Sequence, residues 1–232
     1  MKQNGGYATL GFLYREALKV PKVIWKTKTP FATIRRIVQD ERFFFKIRPG
    51  LWALKEYKNK IPFPLIQPSK KLEHEKDEFN HSYFQGLLIE IGNLKKFETF
   101  IPNQDKNKLF LQQSLKDVAT LDHFYYFTYD HIIDRAKSID VTWFNTRKMP
   151  QAFFEVEHST DFKNSLLKFV ELQDFNVDFR IVADKTRERQ FHSALTFHAF
   201  QSIMHRVKFI TYDIVSELHT KTVELSLIEQ RL

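Results

Sequence analysis

The 232-residue chain contains no cysteine. That excludes disulfides and thiolate zinc sites and fits a reducing compartment. No stretch approaches the ~18 consecutive apolar residues of a membrane-spanning helix. The opening Met1-Lys2-Gln3-Asn4-Gly5-Gly6 has no apolar segment behind a basic start. A cytoplasmic protein with no membrane partner is the expectation. Internal repeats and low-complexity tracts are missing too. His192, His198 and His205 lack the i,i+4 spacing of helical zinc ligands. What remains, 43% hydrophobic and 28% charged residues, is ordinary globular composition with enough chain for one large domain or two modest ones.

Acidic residues are scarce in the first third. Residues 1–70 hold 15 Lys and Arg against 4 Asp and Glu, whereas residues 71–232 hold 21 against 24. An asymmetry of this size favours a polyanionic partner, and without an amphipathic membrane helix nucleic acid comes first. Pro62, Pro64 and Pro68 fall within one short stretch. They cannot sit inside a regular element, so this region reads as an extended linker. The expected organisation is a basic domain at 1–57, a linker at 58–76 and a second domain at 77–232.

In the first domain, residues 7–20 have helical periodicity, with Leu10, Leu13, Tyr14, Ala17 and Leu18 on one side. Thr29-Pro30 predicts a helix start with Thr as N-cap, and Phe31, Ile34 and Val38 then fall on the inner face. Residues 43–47 and 51–54 read as strands around the basic turn Arg48-Pro49-Gly50. Helix, turn, helix and hairpin is the plan of a winged helix. Thr29-Pro30-Phe31-Ala32-Thr33-Ile34-Arg35-Arg36 and Phe44-Phe45-Lys46-Ile47-Arg48-Pro49-Gly50-Leu51-Trp52-Ala53-Leu54 resemble the recognition-helix start and wing of the HARE-HTH winged-helix family. The resemblance spans residues 7–57 and implies double-stranded DNA binding. Thr33, Arg35 and Arg36 would lie near the groove, with Lys46 and Arg48 on phosphates. The alternative use of such a module is protein interaction.

In the second domain the pattern predicts a helix at 77–94, a strand at 97–101 and an irregular, partly helical insertion at 103–137. Strands at 138–144 and 152–158 flank the polar turn 145–150. A helix at 161–173, a strand at 178–183, a helix at 187–204 and a strand at 207–212 follow. This is an α/β domain with a mixed sheet of about five strands and helices on both faces. Side chains alternate along a strand, so Glu155 and Glu157 share a face, and Asp140 joins them from the neighbouring strand. Three carboxylates in apolar strands are costly to bury without a positive charge. A divalent cation supplies it, and Mg²⁺ suits an all-oxygen site.

The order helix–strand–strand–strand–helix–strand, with Ile139-Asp140-Val141 on the second strand and Phe154-Glu155-Val156-Glu157-His158-Ser159-Thr160 on the third, resembles the PD-(D/E)xK nuclease superfamily. Within it, restriction-endonuclease-like cores are the nearest type, over residues 77–213. The resemblance implies Mg²⁺-dependent hydrolysis of DNA phosphodiesters, with Mn²⁺ as a substitute. Asp140 and Glu155 would bind the metal, Glu90 of the first helix would complete its shell, and Asp140, Glu155 and Glu157 would be catalytic. Glu157 occupies the position of the motif's lysine, so it would act as general base or bind a second metal, unless a lysine of the next helix, Lys163 or Lys168, takes the role. Cutting both strands needs a homodimer or two successive events. The alternative is a non-catalytic DNA-binding regulator on a decayed nuclease fold.

Overall fold

The computed structural model describes residues 1–21, 25–61, 73–159 and 161–230, the side chains of 73–76 excepted. Pro62, Pro64 and Pro68 of the expected linker lie outside the described residues. The chain divides into two compact units, one formed by residues 1–76 with 216–232 and the other by residues 77–215.

In the first unit, β1 (Tyr7–Thr9) leads into α1 (Leu10–Ala17), and α2 (Pro30–Val38) leads into the hairpin β2 (Phe44–Arg48) and β3 (Leu51–Leu54). The strands form an antiparallel sheet of order β1-β3-β2. Helical periodicity from residue 7 onward is therefore corrected. Residues 7–9 pair with β3, Tyr7 opposite Ala53 and Thr9 opposite Leu51. The helix begins only where the Thr9 hydroxyl caps it, accepting from Phe12 N at 3.1 Å. In α2, Pro30 presets the first turn while Phe31, Ile34 and Val38 are buried as expected. Thr29 makes no side-chain cap. Its Oγ1 lies 3.4 Å from Thr27 Oγ1, and its carbonyl accepts from the Thr33 hydroxyl at 3.2 Å. Gly50, with φ of 74°, takes the left-handed corner of the hairpin turn.

The C-terminal helix, residues 212–229, contributes its later turns to this unit. His219 and Val223 are buried there. Gly11 makes room for them, since a Cβ at that position would come within 2.8 Å of the His219 ring.

The second unit is built on a five-stranded sheet and the helices around it. Its elements begin with α3 (Glu73–Leu94), β4 (Glu98–Phe100), β5 (Leu109–Phe110), β6 (Gln113–Ser114), α4 (Leu115–Val118) and α5 (Asp130–Ala136). They continue with β7 (Val141–Phe144), β8 (Pro150–Glu157), α6 (Phe162–Glu171), β9 (Asp178–Ala183), α7 (Glu188–Leu195) and β10 (Val207–Thr211), which leads into α8 (Tyr212–Glu229). The sheet order is β10-β9-β8-β7-β4. It is mixed: β4, β7 and β8 are antiparallel, while β8, β9 and β10 are parallel.

Phe153, Phe179 and Ile181 point to one face and pack with Phe162, Leu166 and Phe169 of α6 and Phe191 of α7. Trp143 and Phe154 turn to the other face, where Trp143 Nε1 donates to the Leu88 carbonyl of α3 at 3.1 Å. Tyr83, Phe84, Leu87, Leu88, Ile89 and Ile91 are all fully buried, so the stretch of α3 from 82 to 89 is enclosed on every side rather than amphipathic. Two glycines allow this. A Cβ at Gly92 would strike Thr99 and Trp143, and one at Gly86 would come within 2.1 Å of the Phe110 ring.

Two expected elements are shorter than their sequence pattern. Residues 138–140 are not strand, because Ser138 Oγ folds back onto the Arg135 carbonyl at 2.7 Å and closes α5. The expected helix at 187–204 ends at Leu195, where Thr196 Oγ1 donates to the Ser193 carbonyl at 2.8 Å.

Candidate active site

The β7–β8 hairpin sets the position of the first two acids. Val141 pairs with Phe154, so the residue before β7, Asp140, comes beside Glu155. The two are interlocked: Asp140 N donates to Glu155 Oε1 at 3.4 Å, and Val156 N donates to Asp140 Oδ2 at 2.7 Å. Strand alternation puts Glu157 on the same face as Glu155, and all three carboxylates are buried. The structure brings together the three acids that the sequence singled out.

Helix α6 closes on them from its own face of the sheet. Asp161 caps it, accepting from Lys163 N at 3.1 Å. Four and seven residues after Asp161, Ser165 and Lys168 arrive at the carboxylates. Lys168 Nζ donates to both Glu155 oxygens at 2.9 Å and to the Ser138 carbonyl at 2.9 Å. Ser165 Oγ lies 3.0 Å from Glu155 Oε2 and also hydrogen-bonds Glu157 Oε1. Lys163 turns away, its Nζ 4.6 Å from the Phe197 ring centroid. Of the two lysines considered, Lys168 is the one at the carboxylates.

From the opposite side, α3 presents His81 and Gln85, one turn apart. His81 Nε2 is 3.5 Å from Asp140 Oδ1 and 3.9 Å from Asp105 Oδ2. Gln85 Nε2 donates to Asp105 Oδ2 at 2.8 Å and to the Asp140 carbonyl at 3.1 Å. Asp105, itself buried, is also met by Lys108 Nζ at 2.8 Å. Glu90 belongs to the same helix, α3. It lies nine residues beyond His81, about half a turn out of phase at ~3.6 residues per turn, and is half-buried. His81, Gln85, Asp105 and Ser165 were missed from sequence. The available signal was the i,i+4 pair of polar side chains, His81 and Gln85, inside an otherwise apolar stretch of helix.

Burial and the nearby Asp140 charge push the Glu155 carboxyl up to about 8, against the pull of Lys168 and Ser165. Burial opposes the Asp140 charge as well, yet His81, Lys168 and the Val156 amide hold Asp140 below the usual carboxylate range. Burial likewise disfavours the charged form of His81, and Asp140 and Asp105 outweigh it and raise the imidazole. Ser165 has one hydroxyl proton and two carboxylate neighbours, an arrangement that suits a proton held on Glu155. Beyond Glu157, Tyr212 Oη lies 2.6 Å from His158 Nδ1 and donates to the Glu157 carbonyl at 3.0 Å, with burial raising the phenol.

The residues expected at DNA lie in the first unit. Arg36 and Lys46 are exposed, whereas Thr33 and Arg48 are half-buried. Arg35 is engaged within the unit. Its Nη2 donates to Tyr14 Oη at 3.0 Å and lies 3.9 Å from Glu224 Oε2.

Comparison with known proteins adds the following. Residues 63–231 match the family model for the type II restriction enzyme NmeDI C-terminal domain. The chain is 27% identical over 161 residues to the type II restriction enzyme NmeDI of Neisseria meningitidis serogroup C. That match covers 63% of this chain and 44% of the relative, so the chain spans less than half of that enzyme's length. No solved structure matches. None of the described helices is long and apolar enough to cross a membrane.

Proposed function

The chain belongs to the family of the type II restriction enzyme NmeDI C-terminal domain, and from this we propose that it is a restriction-type endonuclease that hydrolyses phosphodiester bonds in duplex DNA. Its core would be of the PD-(D/E)xK kind, with Asp140, Glu155 and Glu157 as the catalytic acids. The observation that carries the reading is Lys168 on both oxygens of Glu155, with Asp140 interlocked beside them.

The donor set fits a hard divalent cation. Asp140 and Glu155 offer carboxylate oxygens on neighbouring, interlocked residues, and cysteine is absent from the chain. They would hold Mg²⁺, with Mn²⁺ as a substitute. When bound, such an ion supplies Lewis acidity toward a phosphoryl oxygen and toward water. The side chains do the rest. Lys168 keeps Glu155 oriented and brings a positive charge to where a phosphate would lie. Glu157, tied to Glu155 through Ser165, stands as the acceptor for the proton of the attacking water.

Residues 1–57 would act as a winged helix of the HARE-HTH kind. Arg36, Lys46, Arg48 and Thr33 would meet the duplex, while Arg35 braces the module from within. A homodimer would cut both strands. The competing reading, a non-catalytic regulator on a decayed nuclease fold, draws on the missing motif lysine, and Lys168 at Glu155 argues against it.

Digestion of a panel of modified and unmodified duplex DNAs, in Mg²⁺, Mn²⁺ or EDTA, tests the proposal. Cleavage in either metal but not in EDTA is expected. Intact DNA throughout the panel would sink the enzyme reading and leave the regulator.

A further inference from the structure

The Asp140–Glu155 pair accounts for one side of Asp140. Its other side faces a separate set of ligands. One ligand atom each from His81, Asp105 and Asp140 lie within 4.8 Å of one another. The members come from three places in the chain: α3, the loop before β5, and the residue before β7. Asp140 divides its oxygens between the two sides. Oδ2 accepts from Val156 N, while Oδ1 faces His81.

The loop carrying Asp105 is held firmly against α3. Ser82 Oγ donates to the Leu109 carbonyl at 2.8 Å, and Phe110 packs on Gly86. A second observation comes from Gln85, which is fully buried and whose Nε2 reaches the cluster. Nε2 serves Asp105 and the Asp140 carbonyl, but Oε1 has no hydrogen-bond partner among the described residues. An unmet buried acceptor costs about 1–3 kcal/mol, and the water shell of a bound cation would supply its donor.

We infer that His81, Asp105 and Asp140 form a binding site for a first-row divalent transition-metal ion, with Mn²⁺ the best-suited probe. This site is distinct from the Asp140–Glu155 site and shares Asp140 with it. The inference rests on the nuclease reading only for the neighbouring site. Two carboxylates and an imidazole make a mixed hard and borderline donor set. Mg²⁺ holds its waters and favours oxygen alone, whereas first-row ions accept nitrogen readily. Lys108, about one-third exposed, neutralises Asp105 from its Oδ1 side and leaves Oδ2 toward the imidazole. The hydrogen bonds from Gln85 hold Asp105 and the Asp140 backbone, as outer partners of a metal ligand do.

The test is Mn²⁺ binding to the full chain followed by electron paramagnetic resonance, with and without a hundredfold excess of Mg²⁺. The wild type should retain Mn²⁺ under Mg²⁺ competition and show ¹⁴N coupling from a directly bound imidazole. His81→Gln should lose the ¹⁴N coupling and bind Mn²⁺ at least tenfold more weakly, and Asp105→Asn should also weaken binding at least tenfold. Glu155→Gln should keep the coupling. Matching circular dichroism melts confirm that the variants are folded. Mn²⁺ bound without ¹⁴N coupling, or coupling that survives in His81→Gln, overturns the inference. If the coupling is absent while DNA is still cut in Mg²⁺, the nuclease reading stands and this one fails. Coupling in a protein that cuts nothing gives the reverse outcome.

Discussion

Replacing Glu155 with Gln should stabilise the metal-free protein, and the size of the gain follows from the site. A carboxyl moved from the ordinary 4.5 to about 8 by burial and by Asp140 keeps its proton in the folded state but releases it on unfolding. Stability is therefore fully present below about 4.5 and is lost as pH rises toward 8, at ~1.4 kcal/mol per pH unit. Near pH 7 the penalty is about 3 kcal/mol and near pH 5 about 1 kcal/mol. Glutamine keeps the shape without the proton equilibrium. Lys168, about a fifth exposed, retains the Ser138 carbonyl and a path to water. Urea denaturation of wild type and Glu155→Gln in EDTA from pH 5 to 8.5 reads the difference directly. The variant should be more stable at pH 7 by about 3 kcal/mol, a rise of roughly 6–12 °C in melting temperature. Excess Mg²⁺ should narrow the gap by binding the wild type alone. A variant no more stable than wild type at pH 8, or a gap that does not shrink toward pH 5, would refute the assignment of the raised carboxyl to Glu155.

Lys168→Met keeps the alkyl stem and removes the charge, so Mg²⁺-dependent cleavage should fall ~100-fold or more while DNA binding measured by anisotropy is unchanged. Arg36→Ala and Lys46→Ala should each lower the slope of log K against log salt by about one; an unaltered slope would remove these residues from the interface. Point changes suit this question better than deletion of the N-terminal third, because residues from 216 onward fold in the same unit. Gly86→Ala forces a Cβ into the Phe110 ring. It should cost about 1–3 kcal/mol of stability, read from a thermal melt.

The second unit's sheet was legible because strands rich in Phe, Val and Ile alternate with helical stretches, and the β7–β8 spacing fixed Asp140 beside Glu155. Local pattern failed where distant pairing overrode it. Tyr7–Thr9 have helical spacing but gain a strand partner in β3. The end of α7 at Leu195 is set by a Thr196 hydroxyl rather than by Gly or Pro. Glu90 follows from the family resemblance, whereas His81 lies on the same helix half a turn out of phase with it. The phase of α3 is hard to read because residues 82–89 are buried on all sides, and only the pair His81 and Gln85 marks the face toward the site. Asp105 sits in a loop 35 residues before Asp140, and nothing local announces that the two meet.

The central claim is that the interlocked pair Asp140 and Glu155 is a nuclease centre. The most direct measurement compares wild type with Asp140→Ala and Glu155→Ala on one duplex substrate, scoring cleavage in Mg²⁺ and binding in Ca²⁺ from the same preparations. Cleavage should vanish in both variants while binding stays within about threefold of wild type, a difference below ~1 kcal/mol. Cleavage that persists in either variant would contradict the account.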